Sequence, residues 1–274
     1  MTQAMTRPQV GSRFDVLCRQ LTELGLADRE IVLVHTSMRR LGRAAGSPRN
    51  LLRALQCVLG PLATVVVPTQ TANNSTTSRD YFAAIRGLRP ADVSAYQESL
   101  PGFSIDDTPS FRMGVFAEYV RRQPDAVRSP HPQTSFAAVG HYAEQLMKVH
   151  DLESHLGERS PLAAMYDAGA SVLLLGVGYD KCTAMHLAEY RVPWTPEPKS
   201  YECFVNDNGQ RVRQTFEGLD LDDTTFDHIG RLADQRSFAR KARVGAGQAR
   251  LLPMRQLVDF TLEWLVERRG TDGQ

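Results

Sequence analysis

The sequence predicts an α/β fold: a single domain over residues 1–274 with a mixed, largely parallel central sheet covered by helices, plus an antiparallel hairpin subregion. Three observations point there. Short apolar runs, IVLVH, TVVVP and SVLLLGVG, alternate with amphipathic stretches, the pattern of parallel strands buried on both faces between crossover helices. Asp207-Asn208-Gly209 separates two strand-like stretches and is a strong turn signal for an antiparallel pair. No Gly-, Ser- or Pro-rich linker divides the chain, whose length suits one large domain.

In chain order, residues 13–24 read as a helix with Phe14, Leu17, Leu21 and Leu24 on one stripe. Residues 31–35 form a buried strand. Ser47 and Pro48 supply the N-cap and first-turn proline of a helix that stops at Gly60, and 64–68 is the second buried strand. Residues 71–109 are polar and weakly periodic; a stretch of about 39 residues is too long for an idle connection and is expected to be an insertion that shapes a binding site. Further helices are expected over 110–122, 142–150 and 160–166, with a short strand at 136–139. The clearest strand is 171–178, followed by a helix over 183–190 with Thr183 as its N-cap. The hairpin pairs 199–205 with 211–217, and helices over 224–233 and 253–268 finish the chain.

Composition excludes several function classes. With 32 basic and 31 acidic residues the net charge is +1, so no field is available for a nucleic-acid partner. The densest basic stretch, 236–250 with Arg240, Lys241 and Arg243, reads as a solvated face. No apolar run approaches the roughly 20 residues of a membrane helix, and the first residues lack the apolar core of a secretory leader, so the cytoplasm is the expected compartment. Cys18, Cys57, Cys182 and Cys203 are scattered, without zinc spacing; no metal is expected, and free buried thiols fit a reducing compartment.

Ligands of open α/β sheets bind at the carboxyl ends of the strands. Three such ends carry reactive or small polar residues: His35-Thr36-Ser37, Thr69-Gln70-Thr71, and the segment from Gly176 to Glu189. In the last, His186 and Glu189 are three apart and share a helix face. They read either as an incidental surface pair or as a proton acceptor oriented by a carboxylate. Cys182, at a helix start that would lower its pKa, reads either as a nucleophile or as a small buried residue. His131, in the twin-proline segment Arg128-Ser129-Pro130-His131-Pro132, reads either as a second base or as part of a rigid surface corner. The start expected at Ser110, with Arg112 beside it, suits a phosphate. His141, His155 and His228 read as structural or exposed. Gly176 and Gly178 lack the third glycine of a dinucleotide fingerprint.

Four blocks resemble the aminoglycoside 3-N-acetyltransferase family, which is unrelated to the GNAT acetyltransferases. They are LVHTSMRRLG, VPTQT, RSPHPQTSFAAVG, and the long SPLAAMYDAGASVLLLGVGYDKCTAMHLAE. In order and spacing they cover roughly residues 10–265. The resemblance implies acetyl transfer from acetyl-CoA, as co-substrate, to the 3-amino group of the deoxystreptamine ring of aminoglycosides, giving resistance. The His and Glu of the family's TxxHxxE motif fall on His186 and Glu189, with Thr183 leading. The cofactor side would comprise His35, Thr36, Ser37, Met38, Arg39, Leu41 and Gly42, then Ser110, Arg112, Met113, Gly114 and Val115, with Phe136. The acceptor side would comprise Gln70, Tyr81, Glu98, Asp180, Thr183, Glu189 and Glu217, with Asp106 and Asp107 as further carboxylates. Two departures stand out: Gln70 replaces a histidine or tyrosine common in the family, and Lys181-Cys182 replaces a smaller or more polar pair.

An ammonium cannot attack a thioester, so a base must remove a proton and donors must hold the oxyanion. The expected mechanism is direct attack with His186 as base. Oxyanion donors are expected among the amides near Thr36-Ser37 or the Thr183 hydroxyl. Competing readings are an N-acetyltransferase for another amine, a noncatalytic CoA-binding protein, and an acyl-enzyme on Cys182. The expected assembly is a monomer or homodimer.

Overall fold

A reciprocal cap opens the first helix: the Asp15 carboxylate accepts the Ser12 amide at 2.9 Å while Ser12 Oγ accepts the Asp15 amide at 3.2 Å. The computed structural model describes residues 12–27 and 29–272, so the stretch expected to lack a leader lies, through residue 11, outside the described residues. From α1 (Arg13–Glu23) the chain enters β1 (Ile31–Thr36), the short α2 (Met38–Leu41) and α3 (Pro48–Leu59), which is capped by Ser47 and stopped at Gly60. After β2 (Thr64–Pro68) come α4 (Arg79–Ile85), α5 (Pro90–Ser99) and α6 (Val115–Arg121). There follow β3 (Val127–Arg128), β4 (Phe136–Gly140), α7 (Ala143–Met147), α8 (Pro161–Asp167), β5 (Ser171–Leu175) and the one-turn α9 (His186–Glu189). Strands β6 (Pro198–Asp207) and β7 (Gln210–Leu219) make the hairpin, and α10 (Phe226–Ala233), β8 (Arg240–Val244), β9 (Gly247–Pro253) and α11 (Met254–Asp272) complete the chain.

Seven strands form one sheet in the order β3-β4-β2-β1-β5-β9-β8, while β6 and β7 pair separately. β2, β1 and β5 run parallel, and β4 and β9 join them antiparallel on either side. Alternation sorts each central strand between two cores. Leu33, Val66, Phe136, Val172 and Leu174 pack with α7 to α11 on one face. Val34, Val65, Val67, Leu173 and Leu175 pack with α1, α2, α3 and α6 on the other. The mixed, helix-covered sheet with an antiparallel hairpin is the fold class the sequence predicts.

Two local expectations fail for physical reasons. The helix expected from Ser110 begins only at Val115: Arg112 adopts a left-handed φ of 58°, and the Ser110 amide and hydroxyl are both taken by Glu118 Oε2 at 3.0 and 2.9 Å. Thr183 caps nothing; residues 183–185 make a 3₁₀ turn before α9. The basic stretch reads correctly as a solvated face: Arg240, Lys241 and Arg243 are exposed, on the sheet's outermost strand β8.

The long segment between β2 and α6 is fastened to the hairpin. Phe103 donates its amide to Phe204 O and accepts that of Asn206, both at 2.8 Å, and Ser75 bridges to Cys203. Arg128 ties the same segment to the sheet. Its guanidinium donates to Thr69 O (2.8 Å), Thr108 O (2.6 Å), Ile105 O (3.2 Å) and Ser135 Oγ (3.0 Å), and lies over the Phe103 ring. No carboxylate joins it among these contacts, and burial lowers its pKa to about 10.

The twin-proline corner is buried except at Pro130, which is exposed. His131 is fully buried; its Nδ1 accepts the Gln133 and Thr134 amides at 3.1 Å and its Nε2 donates to Leu152 O at 3.1 Å. Both nitrogens are therefore spent on backbone. His150 and His155 stack against it at 4.7 and 4.6 Å. Burial pushes His150 down to about 4 and His155 to about 3, and His35 on β1 is likewise pushed to about 3.

Arg128→Met is expected to lower stability by about 2–4 kcal/mol, since several buried carbonyls lose a charged donor; urea unfolding with an unchanged midpoint would contradict the tie. The histidines predict an acid-labile fold. They remain neutral when folded, whereas the unfolded chain takes up protons below about 6.5. Their contribution is full above that pH and is lost as pH falls towards their folded values, so Tm is expected to drop between roughly pH 6.5 and 4.5, above most carboxylate titration. A flat Tm over that window would refute it.

Candidate active site

A cleft of about 970 Å³ opens where β1, β2 and β5 end. The strand ends are locked to one another: the Ser37 amide donates to Leu175 O at 2.9 Å and the Gly176 amide to Gln248 O at 2.8 Å. Gly176 has φ +66°, and a Cβ there would stand 3.0 Å from the Arg40 side chain and 3.3 Å from Ser37 O. Only glycine suits that crossing.

On α9, His186 Nδ1 lies 2.5 Å from Glu189 Oε2, and Glu189 Oε1 accepts the Asp222 amide at 2.8 Å. The side chains are 13% and 15% exposed, and the imidazole packs on Phe226 at 4.7 Å. An ionised Glu189 requires the proton on Nδ1, so Nε2 keeps its lone pair. The imidazole lines the cleft and Glu189 stands behind it. Phe226 belongs to α10, which also steadies the loop after β5. The Tyr179 ring rests on Gly230, where any Cβ would collide with it, and Tyr179 Oη donates to Asp234 Oδ1 at 2.9 Å. Arg250 holds the same carboxylate at 3.0 Å.

On the turn that leads into α9, Thr183 Oγ1 lies 3.4 Å from His35 Nε2. Cys182 is buried, and burial pushes its thiol up to about 12. The amides of Ala184 and Met185 pull the other way with less effect. This reverses the lowering expected of a thiol at a helix start. Cys203 is buried too, whereas Cys57 is exposed and Cys18 only partly covered, so not all the thiols are buried as expected.

Of the residues expected on the cofactor side, His35, Thr36, Ser37, Met38 and Arg39 line the cleft, as do Arg112, Met113, Gly114 and Val115. Leu41 and Phe136 do not: both are fully buried in the two cores. Gly42 lies behind α2, and Ser110 is tied to Glu118. On the acceptor side Gln70, Asp180 and Thr183 line the cleft. Tyr81 turns inward against Leu100 and Phe204, and its hydroxyl accepts from Gln97 at 2.5 Å. Glu98 and Glu217 are exposed on α5 and β7 outside the lining, and Asp106 and Asp107 border a second cavity beside Arg121.

Several lining residues carry no signal in the sequence. Asp223 and Asp227 add carboxylates; Arg79, Tyr201, Gln133 and His155 add polar surface. Burial raises Asp223, but the Arg79 hydrogen bond and charge, helped by His186, hold it below its usual range. His155, expected to be structural or exposed, is buried yet reaches the lining, and its Nε2 has no hydrogen-bond partner among the described residues. His141 and His228 are exposed. Among the described residues, no cluster of His, Cys, Asp and Glu could hold a metal, and no helix is long and apolar enough to cross a membrane.

A profile of the family described as aminoglycoside 3-N-acetyltransferase matches residues 33–266. Aminoglycoside N(3)-acetyltransferase VII of Streptomyces paromomycinus is 34% identical over 273 residues, 93% of this chain and 92% of that protein. The crystal structure of aminoglycoside acetyltransferase AAC(3)-Xa superposes with a TM-score of 0.81 at 30% identity, covering 93% of this chain and 92% of that one. AAC-IIIb, solved as a binary complex with CoASH, superposes at 0.79 with 28% identity over 94% and 97%. Sequence and fold agree over nearly the whole chain, which belongs to the aminoglycoside 3-N-acetyltransferase family.

Proposed function

We propose that this enzyme transfers the acetyl group of acetyl-CoA to the 3-amino group of the deoxystreptamine ring of an aminoglycoside, with His186 as general base. The observation that carries the reading is the His186–Glu189–Asp222 relay, which leaves one basic nitrogen at the wall of a cleft. The residues of the cleft fit a CoA thioester. Thr36 Oγ1 is buried with no partner among the described residues, and Arg39 offers a cation to a phosphate, with Arg112, paired to Asp80, also in the lining. Acetyl-CoA supplies the activated acyl group when bound, and the binary complex of AAC-IIIb with CoASH supports that donor.

The reacting ammonium loses one proton to solvent; His186 Nε2 then accepts a second as the neutral amine attacks, and Glu189 stabilises the resulting imidazolium. The new N–C bond forms at the acyl carbon as its C–S bond breaks, and the imidazolium returns the proton to the departing sulfur. Of the oxyanion donors expected, the Ser37 amide is already committed to Leu175 O. The Thr183 hydroxyl remains; with His35 Nε2–H donating to Thr183 Oγ1, its own proton is available to the oxyanion. Asp180, Asp223 and Asp227 attract the cationic acceptor, and the segment over 71–109 closes that side. Cys182, buried as a neutral thiol, has no part in transfer.

Thiol release from acetyl-CoA with an aminoglycoside panel tests the reading. His186→Ala is expected to lower kcat by roughly 10²–10⁴-fold, and near-normal turnover would remove the base. Cys182→Ser is expected to retain turnover. Acceptor KM is expected to rise with ionic strength, because exposed carboxylates are screened; a salt-independent KM would count against them. Silence across the panel with CoA binding intact would move the acceptor to a different amine.

A further inference from the structure

The acceptor side of the cleft already holds a cation of its own. Arg79, the first residue of α4, donates from Nη1 to Asp223 Oδ1 at 2.8 Å, and both side chains line the cleft. Asp220 and Asp222 act on the same guanidinium, which therefore sits in an acidic corner. The next residue, Asp80, pairs with Arg112, another residue of the lining. The first turn of α4 is thus bridged to two separate segments that line the cleft. Asp223 is also the immediate neighbour of Asp222, whose amide holds Glu189.

We propose that Arg79 is a specificity-determining latch, an internal cation seated on the carboxylate that an acceptor ammonium takes, so that acceptors with several ammonium groups are favoured over monoamines. The inference rests on the acetyl-transfer reading above and deepens it. An ammonium that displaces Arg79 exchanges one cation for another at Asp223 and gains little from that site. A polycation makes the same exchange and brings further charges to Asp180, Asp222 and Asp227, two of which also line the cleft. The bond that must open is weak enough to do so: the Arg79 side chain is 74% exposed and Asp223 37%, and exposed ion pairs contribute little. Being tethered, however, the guanidinium competes at high effective concentration.

Calorimetric titration of the full chain with neomycin, in wild type, Arg79→Gln, Asp223→Asn and the double variant, tests the latch. Arg79→Gln is expected to bind neomycin about 3–10-fold more tightly at low salt, with the gain shrinking as salt rises. Asp223→Asn, which removes the seat from both cations, is expected to abolish the gain, so that the double variant binds no more tightly than Asp223→Asn alone. Arg79→Lys, which keeps the charge, is expected to stay near wild type. Cyclohexylamine, a monoamine with no second ammonium to place on another carboxylate, should gain more from Arg79→Gln than neomycin does, and an equal gain overturns the specificity role. Unchanged or weaker neomycin binding in Arg79→Gln overturns the latch, as does a gain that survives Asp223→Asn. Turnover of the wild type with acetyl-CoA and neomycin, run in parallel, separates the two ideas. Turnover without a gain in Arg79→Gln overturns the latch alone. Neither binding nor turnover in any variant overturns the latch together with the aminoglycoside reading.

Discussion

The site depends on one carboxylate with both oxygens committed. Glu189 grips His186 through one oxygen and the Asp222 amide through the other, and between those partners the chain runs out and back through the whole hairpin. α9 is a single turn, too short to stand alone; Leu187 and Ala188, fully buried, pin it to the core. The loop from 220 to 225 has no regular structure, and the Asp222 amide bond to Glu189 ties it directly to α9. A charge-assisted bond is roughly twice as strong as a neutral one. In a mostly covered site its loss would leave the remaining partner desolvated and unpaired. Imidazole orientation and the position of the Asp222–Asp223 corner are thereby set by the same group.

What was legible in the sequence was whatever local chemistry decides. β2 ends where Thr64–Pro68 reads as a buried run, and β1 extends one residue past its reading, because strands covered on both faces have no polar positions to confuse their limits. Ser47, Pro48 and Gly60 mark α3 because caps and helix stops are properties of single residues. The His186–Glu189 contact follows from a spacing of three on one helical turn. The family resemblance added what spacing could not, namely an expectation of which strand ends face a donor.

The rest was not legible because it is made by pairing across long separations or by burial. Arg79 and Asp223 meet across 144 residues; nothing near either one marks it as lining a cleft. Tyr81 and Glu98 sit in a polar segment that reads as a binding surface, yet Tyr81 turns inward once Phe204 of the hairpin arrives to cover it. β8 carries too many charges for a strand signal and exists because β9 offers it a ladder. Cys182 shows the same competition within one residue: local amides favour a thiolate, and complete burial, a tertiary fact, outweighs them.

The two ends of the seven-stranded sheet bear on how the protein behaves when concentrated. With a formal net charge of +1, molecules have little long-range repulsion to keep them apart. Colloidal stability then falls to the geometry of the margins. One margin, β3, is two residues long and offers almost no ladder to a foreign strand. The other, β8, presents Arg240, Lys241 and Arg243, charges that an incoming strand would have to desolvate. Shortness at one border and local cations at the other thus protect against edge-to-edge growth in a molecule whose global charge cannot.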